Sequence, residues 1–156
     1  MNNYNFRLLE KNELQWFVDL RNSVRHNLHD SRIFSKEDAL AWYENNKKNY
    51  WVIYFQLEKI GYFRLLKCDC GIYSIGADIS PVYQGKGFGY QSYLNFAKDI
   101  LLPMNITYLS LRVKRKNEIA IKLYTKLGFQ VENFVNQDSE DIVMISSVQK
   151  ILGLPS

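Results

Sequence analysis

Gln84-Gly85-Lys86-Gly87-Phe88-Gly89 sets three glycines at every second position, directly ahead of the apolar run Tyr90 to Leu102. Glycine loses more conformational freedom on folding than any other residue, so such a cluster needs a physical reason. A plain strand-to-helix turn needs one glycine. Several let the backbone approach a ligand closely. Successive N–H groups at a helix start, with the helix dipole behind them, then favour negative charge. The stretch reads as an anion cradle.

Two nucleotide motifs can be compared with it. The mononucleotide loop needs Gly, four residues, then Gly-Lys-Ser/Thr; here Gly85-Lys86 is followed by Gly87, and the position five before Gly85 is Ser80. The dinucleotide pattern comes closer, with Gly87, Gly89 and Ser92 in its frame. That pattern also wants an acid about 20 residues further on to hold a ribose. No acidic residue lies between Asp99 and Glu118.

Other reactive residues offer less. Cys68 and Cys70, in KCDCG, are too close for the usual zinc pair, and no second pair exists, so they read as reduced thiols near a hairpin. His26 and His29 are the only histidines and have no clear third ligand, so no metal is expected. The basic run Arg112 to Lys116 reads as a solvated loop after a strand, or as charge directed at a phosphate-bearing cofactor. A net charge of +4 suits a small anionic ligand as well as nucleic acid. Charged residues make up 23% and are mixed in sign, without a basic stripe interleaved with stacking rings, so nucleic acid is not an expected partner.

The elements that must hold the cradle follow from pattern. With 156 residues, 47% of them hydrophobic, the chain suits one compact domain over residues 1–156. The N-terminus lacks the charged and apolar regions of a signal peptide, and no run nears the roughly 18–20 apolar residues of a membrane span. A soluble, cytoplasmic protein without membrane contact is expected. Asn5 to Glu10 reads as a strand, and Leu14, Phe17, Val18 and Val24 as the apolar face of a helix. Ser35 with Asp38 marks the start of a second helix that buries Leu40, Ala41 and Tyr43 or Trp42. Tyr50 to Leu57, Ile60 to Lys67 and Gly71 to Ser80 form a meander, with a tight turn at Glu58-Lys59 and an end at Pro81. A helix follows from Tyr90 to Leu102, and then a strand from Ile106 to Val113. Asn117 caps another helix, which buries Ile121, Leu123, Tyr124 and Leu127 and stops at Gly128. Phe129 to Asn136 and Asp141 to Val148 are the last strands, around a Gln137–Glu140 turn. The order is β-α-α-β-β-β-α-β-α-β-β, an α/β fold with a mixed sheet.

In this frame Gln84 to Gly89 resembles the acyl-CoA pyrophosphate loop of the GNAT superfamily of N-acetyltransferases, Gln/Arg-x-x-Gly-x-Gly/Ala. Ile75 to Gly89 is similar to that family's fourth strand, its proline-containing exit and the loop. Asn117 to Phe129 resembles its second signature: Asn, Ala, Tyr, Gly-Phe. The element order matches the family fold over essentially the whole chain.

The resemblance implies acetyl-CoA as co-substrate and direct attack by an amine. The pantetheine arm would pair with Asp78, Ile79 and Ser80. Gln84 would start the loop, and the N–H groups of Gly85, Lys86, Gly87, Phe88, Gly89 and Tyr90 would hold the pyrophosphate, with Lys86 adding charge. Asn117 would contact the cofactor arm while also capping its helix. Tyr124 matches the tyrosine near the cofactor sulfur and would protonate the departing thiolate. A backbone N–H of the fourth strand would steady the oxyanion. Many members carry a carboxylate where this chain has Ser74. Asp78 lies four residues on, on the same strand face, and is a candidate base on a par with a water relay to backbone carbonyls.

The acceptor would sit against Leu20 to Phe34, with Arg21, Asn22 and His29 as candidate contacts. The Arg-Asn pair resembles relatives that acetylate amino sugars on nucleotide carriers, so a small-molecule primary amine is the expected acceptor. A ribosomal-protein-type N-terminal acetyltransferase and a non-catalytic acyl-CoA-binding module are the alternatives. A homodimer stays open.

Overall fold

The computed structural model describes residues 2–132 and 140–155. Its elements are β1 (Tyr4–Leu8), α1 (Leu14–Ser23), α2 (Lys36–Asn46), β2 (Tyr50–Phe55), β3 (Glu58–Lys67), β4 (Tyr73–Ile79), α3 (Phe88–Phe96), β5 (Tyr108–Lys114), α4 (Glu118–Lys126), β6 (Gln130–Val131), β7 (Asp141–Ser147) and α5 (Val148–Ile151). The expected order is present, with α5 added. The strands follow the order β1-β2-β3-β4-β5-β7-β6 in a mixed sheet of seven strands, with β4 and β5 parallel. The chain divides into two compact units: Met1–Leu65 with Ala77–Phe88, and Leu66–Gly76 with Gly89–Ser156.

In the first unit, β1 and β3 flank β2, both antiparallel to it. The register passes from Ile53↔Gly61 to Tyr54↔Lys59, so Ile60 is the extra residue of a bulge. Its carbonyl is free to look the other way and accepts the Ser80 N–H at 2.8 Å. Ile60, Gly61, Tyr62 and Phe63 are all buried, as expected of a strand covered on both faces. Leu14, Phe17 and Val18 of α1 meet Ala39 and Tyr43 of α2 over Val52 and Tyr62.

Two expectations for this unit need correction. In α2 the buried positions are Ala39 and Tyr43, whereas Leu40 and Ala41 are exposed. Two aromatic contacts turn the helix this way: Tyr43 Oη donates to Leu9 O at 2.9 Å, and Trp42 stacks on Phe17 with centroids 5.2 Å apart. The tight turn is Gln56-Leu57, because Glu58 and Lys59 pair with Phe55 and Tyr54 inside the ladder. Gln56 takes the left-handed conformation there, with φ +56°.

In the second unit, Leu109, Leu111 and Val113 of β5 lie opposite Ser146, Met144 and Ile142 of β7, and all six are buried. That alternation is the period-two pattern of a sheet buried on one face. α3 ends at Phe96 and continues as a wider π turn, Ala97–Leu101, in which the Leu102 N–H reaches back to Ala97 O at 2.8 Å. Tyr93, Phe96, Ala97 and Leu101 are buried, while Leu94 and Ile100 are half-buried. In α4 the expected core residues Ile121, Leu123 and Tyr124 are also only half-buried; Leu127 and Phe129, just past the helix, are buried. Val148, expected as a strand end, begins α5, where Ser147 Oγ accepts the Lys150 N–H at 3.1 Å. Four residues are too few for a helical period to show in sequence. Most of the expected Phe129–Asn136 strand and Gln137–Glu140 turn lies outside the described residues.

Candidate active site

The glycine stretch grows out of the end of β4. Pro81 opens a single 3-10 turn, Pro81–Tyr83, closed by Tyr83 N–H to Ser80 O at 2.9 Å and Gln84 N–H to Pro81 O at 3.2 Å. Gln84 Nε2 donates to Ile79 O at 2.8 Å, and Lys86 Nζ donates to Val82 O at 3.1 Å. Both side chains therefore fold the loop back onto the turn.

Gly85 and Gly87 have φ of +75° and +86°, and a Cβ on either would meet no atom within 4 Å. Glycine is demanded there by backbone conformation, not by crowding. Alternating left-handed residues ahead of a helix turn successive N–H groups to one side, which makes an anion nest. Phe88 begins α3 with its ring edge-on to Tyr83 and Phe55, at 5.4 and 5.0 Å. Gly89 has no positive φ; a Cβ there would sit 3.4 Å from Leu123 Cδ2, in ordinary contact. Tyr90 carries the Lys126 ammonium over its ring at 4.2 Å.

The backbone of β4 differentiates the three residues expected to pair with a pantetheine arm. Ser80 donates its N–H to Ile60 of β3, and a Cβ on Gly61 would lie 2.4 Å from Asp78 O. Asp78 and Ser80 thus turn their backbone groups toward β3. Alternation aims those of Ile79 at the opposite edge. Near its start β4 runs parallel to β5, with Tyr73 opposite Leu109 and Ser74 opposite Ser110.

In the second unit Asn117 caps α4: its Oδ1 accepts the Ala120 N–H at 3.2 Å. Tyr124 stands two turns further on, edge-on to Tyr93 and Phe129 at 5.8 and 5.9 Å. Gly128, with φ +97°, ends the helix, and the Phe129 N–H returns to Tyr124 O at 2.9 Å. In the basic run, Arg112 Nη2 lies 3.4 Å from Asp141 Oδ2.

The candidate acceptor residues are occupied with their own loop. Arg21 is 7% exposed, and its guanidinium donates to Arg32 O at 2.6 Å and Asp30 O at 2.7 Å while lying over the Phe34 ring at 4.0 Å. Asn22 binds both backbone groups of Phe34. His29 is exposed. Among the described residues, no group of three or more His, Cys, Asp or Glu side chains is arranged to hold a metal ion. No helix among them is long and apolar enough to cross a membrane.

The residue that sequence reasoning missed is Tyr62. Its phenol is buried and donates to Asp78 Oδ2 at 2.5 Å. Burial, then the neighbouring carboxylate, hold the phenol well above its ordinary range, so it stays protonated. Burial also pushes the Asp78 carboxyl up, against the Tyr62 hydrogen bond and the charges of Arg21 and Arg64. Tyr62 and Asp78 lie 16 residues apart, and no local pattern joins them.

The Acetyltransferase (GNAT) family model matches residues 13–129. No curated protein matches significantly. Among solved structures, the spermidine N-acetyltransferase of Vibrio cholerae in complex with CoA and spermine is 23% identical, covers 96% of this chain and 98% of its own, and has a TM-score of 0.81. The protein yncA from Salmonella typhimurium, solved with its cofactor acetyl-CoA, is 18% identical, with 94% of this chain and 95% of its own covered and a TM-score of 0.72. A ribosomal L7/L12 alpha-N-protein acetyltransferase in complex with coenzyme A is 14% identical, with 96% and 97% covered and a TM-score of 0.78.

Proposed function

Because the chain belongs to the Acetyltransferase (GNAT) family, we propose that it is an acetyl-CoA-dependent N-acetyltransferase acting on the primary amine of a small molecule, such as a nucleotide-linked amino sugar. Residues 1–156 would serve as one catalytic domain. The observation that carries the reading is the left-handed pair Gly85 and Gly87 at the start of α3, with open space beside both. A side chain at either position would fill the approach that a pyrophosphate needs, so the loop fits the group.

The N–H groups of Gly85 to Tyr90 hold the diphosphate in this reading, and the α3 dipole adds to the attraction. Ile79 offers its N–H and C=O to the pantetheine amides. Its carbonyl already accepts from Gln84 Nε2, and a carbonyl has a second lone pair for another donor. Asn117 and Tyr124 act from α4: the first contacts the arm, and the second gives its phenol proton to the leaving thiolate. Acetyl-CoA supplies the activated acyl group; the chain positions it, excludes water and moves protons.

The test is CoA release from acetyl-CoA, followed with a thiol-reactive dye, across nucleotide-linked amino sugars, spermidine and peptides with free N-termini. Turnover of an amino sugar or polyamine is expected. Turnover of peptides alone moves the reading to a protein acetyltransferase. Acetyl-CoA binding without turnover of any amine makes the chain a binding module.

A further inference from the structure

The acetyl transfer proposed above needs a base, because amines are protonated at neutral pH, and Ser74 of β4 cannot serve as one unaided. A charged ammonium cannot attack a thioester; its proton must go to a nearby base. Four residues further along β4, Asp78 is partly buried with Oδ2 fixed by Tyr62 at 2.5 Å. Among the described residues Tyr62 is the hydrogen-bond partner of this carboxylate, which leaves Oδ1 for another donor. Packing holds Tyr62 in place: its ring centroid lies 4.7 Å from that of Phe17 and 5.8 Å from that of Tyr50, which in turn lies 4.8 Å from Trp42. A carboxylate fixed through one oxygen keeps the other as an acceptor for an ammonium N–H.

We propose that Asp78 binds the acceptor's ammonium group through Oδ1 and takes its proton, while Tyr62 positions the carboxylate. The inference rests on the acetyltransferase reading and names the base for that reaction. One N–H bond of the ammonium breaks and an O–H bond forms on Asp78 Oδ1. The freed nitrogen pair attacks the acetyl carbonyl, the C–S bond breaks, the thiolate takes a proton from Tyr124, and the second proton that the nitrogen sheds as the amide forms returns through solvent to the Tyr124 phenolate. The Asp78 proton then passes to solvent.

The surroundings fit the task. Burial keeps the carboxyl above its ordinary range, which strengthens it as a base. The charged and titratable groups facing it are Tyr62 and Arg64 from β3, Tyr50 from β2 and Arg21 from α1. Tyr62 fixes one oxygen without neutralising the carboxylate. Gly61 lets β4 come close: a Cβ there would clash with Asp78 O and lie 3.1 Å from Ile79 Cα.

Two measurements test the proposal, one of which needs no turnover. The carboxyl 13C resonance of Asp78, assigned by its loss in Asp78→Asn, should move when spermidine or glucosamine is added. A resonance unmoved by both amines overturns the proposal, even if the enzyme acetylates something else. A resonance that moves in a protein without turnover leaves the ammonium site standing and sinks the acetyltransferase reading instead. In the kinetic arm, Asp78→Asn should lower kcat for the same amines about 100-fold or more. Methoxyamine, already neutral at neutral pH, should be acetylated by variant and wild type at similar rates. Equal loss for methoxyamine, or no loss for the ammonium acceptors, removes the base role. Tyr62→Phe deletes a hydrogen bond that lowers the Asp78 pKa, so the acid limb of its kcat/KM profile should move to higher pH. A slower enzyme with an unmoved limb would leave Tyr62 a packing residue only.

Discussion

Asn22 grips Phe34 with both ends of its amide: Nδ2 donates to Phe34 O at 2.8 Å, and Oδ1 accepts the Phe34 N–H at 2.9 Å. Beside it, Arg21 fastens the carbonyls of Asp30 and Arg32. Two adjacent residues at the end of α1 thereby fix the path of the segment leading to α2.

Asn22→Ala should cost roughly 1–3 kcal/mol, because two partly buried backbone groups lose their partner. Asn22→Asp should cost at least as much. The carboxylate can still accept from the Phe34 N–H, but it places an oxygen against Phe34 O. Chemical denaturation of the three proteins checks the order; a fully stable Asn22→Asp would show that the donated bond is dispensable.

The three glycines of the cradle should separate. Gly85→Ala and Gly87→Ala force a side chain into left-handed backbone, at about 1–2 kcal/mol each, and should weaken CoA binding. Gly89→Ala should keep both stability and affinity, since its Cβ meets only Leu123 Cδ2 at ordinary contact distance. Calorimetric titration with CoA reads the difference, and equal losses at all three positions would contradict the assignment.

Tyr124→Phe keeps the ring edge-on to Tyr93 and Phe129 and removes only the hydroxyl. The expected result is a rate lower by about 100-fold or more with CoA affinity nearly intact. An unchanged rate rejects the acid role.

Asp78→Asn should stabilise the protein at neutral pH. The folded-state pKa of Asp78 is raised above the unfolded value, mainly by burial, so its ionisation works against folding. Stability from this group is greatest below the unfolded carboxylate pKa. It falls as pH rises from there through the raised folded value. The advantage of Asn, whose oxygen still accepts from Tyr62, should therefore shrink on acidification. Thermal melts of both proteins at neutral and acidic pH test this, and a gain that grows as pH falls would reverse the sign.

What the sequence could announce was local. Ser35 with Asp38, Asn117 with Ala120 and Gly128 after α4 mark helix ends because each cap is made by residues within a few positions. The glycines of the cradle are legible for the same reason, since left-handed backbone is a property of single residues. The buried Leu109, Leu111 and Val113 of β5 also follow a period of two, which is a local pattern. The family's two signatures then joined these pieces, 13–129 being the span that matches.

Tertiary structure decided whatever depends on register and rotation. The bulge at Ile60 moved the β2–β3 turn to Gln56-Leu57 and freed the carbonyl that receives Ser80. A single-residue shift in a strand exchanges its faces, so small register choices have large effects. Packing of Trp42 on Phe17 selected which stripe of α2 is buried. Arg21 and Asn22 read from sequence as polar and adjacent; that they hold the backbone of a loop 9 to 12 residues away shows only in the fold. The Tyr62–Asp78 bond joins neighbouring strands across 16 residues. A sequence states which groups are present; a hydrogen bond between distant ones exists only once strand register and burial have brought them together.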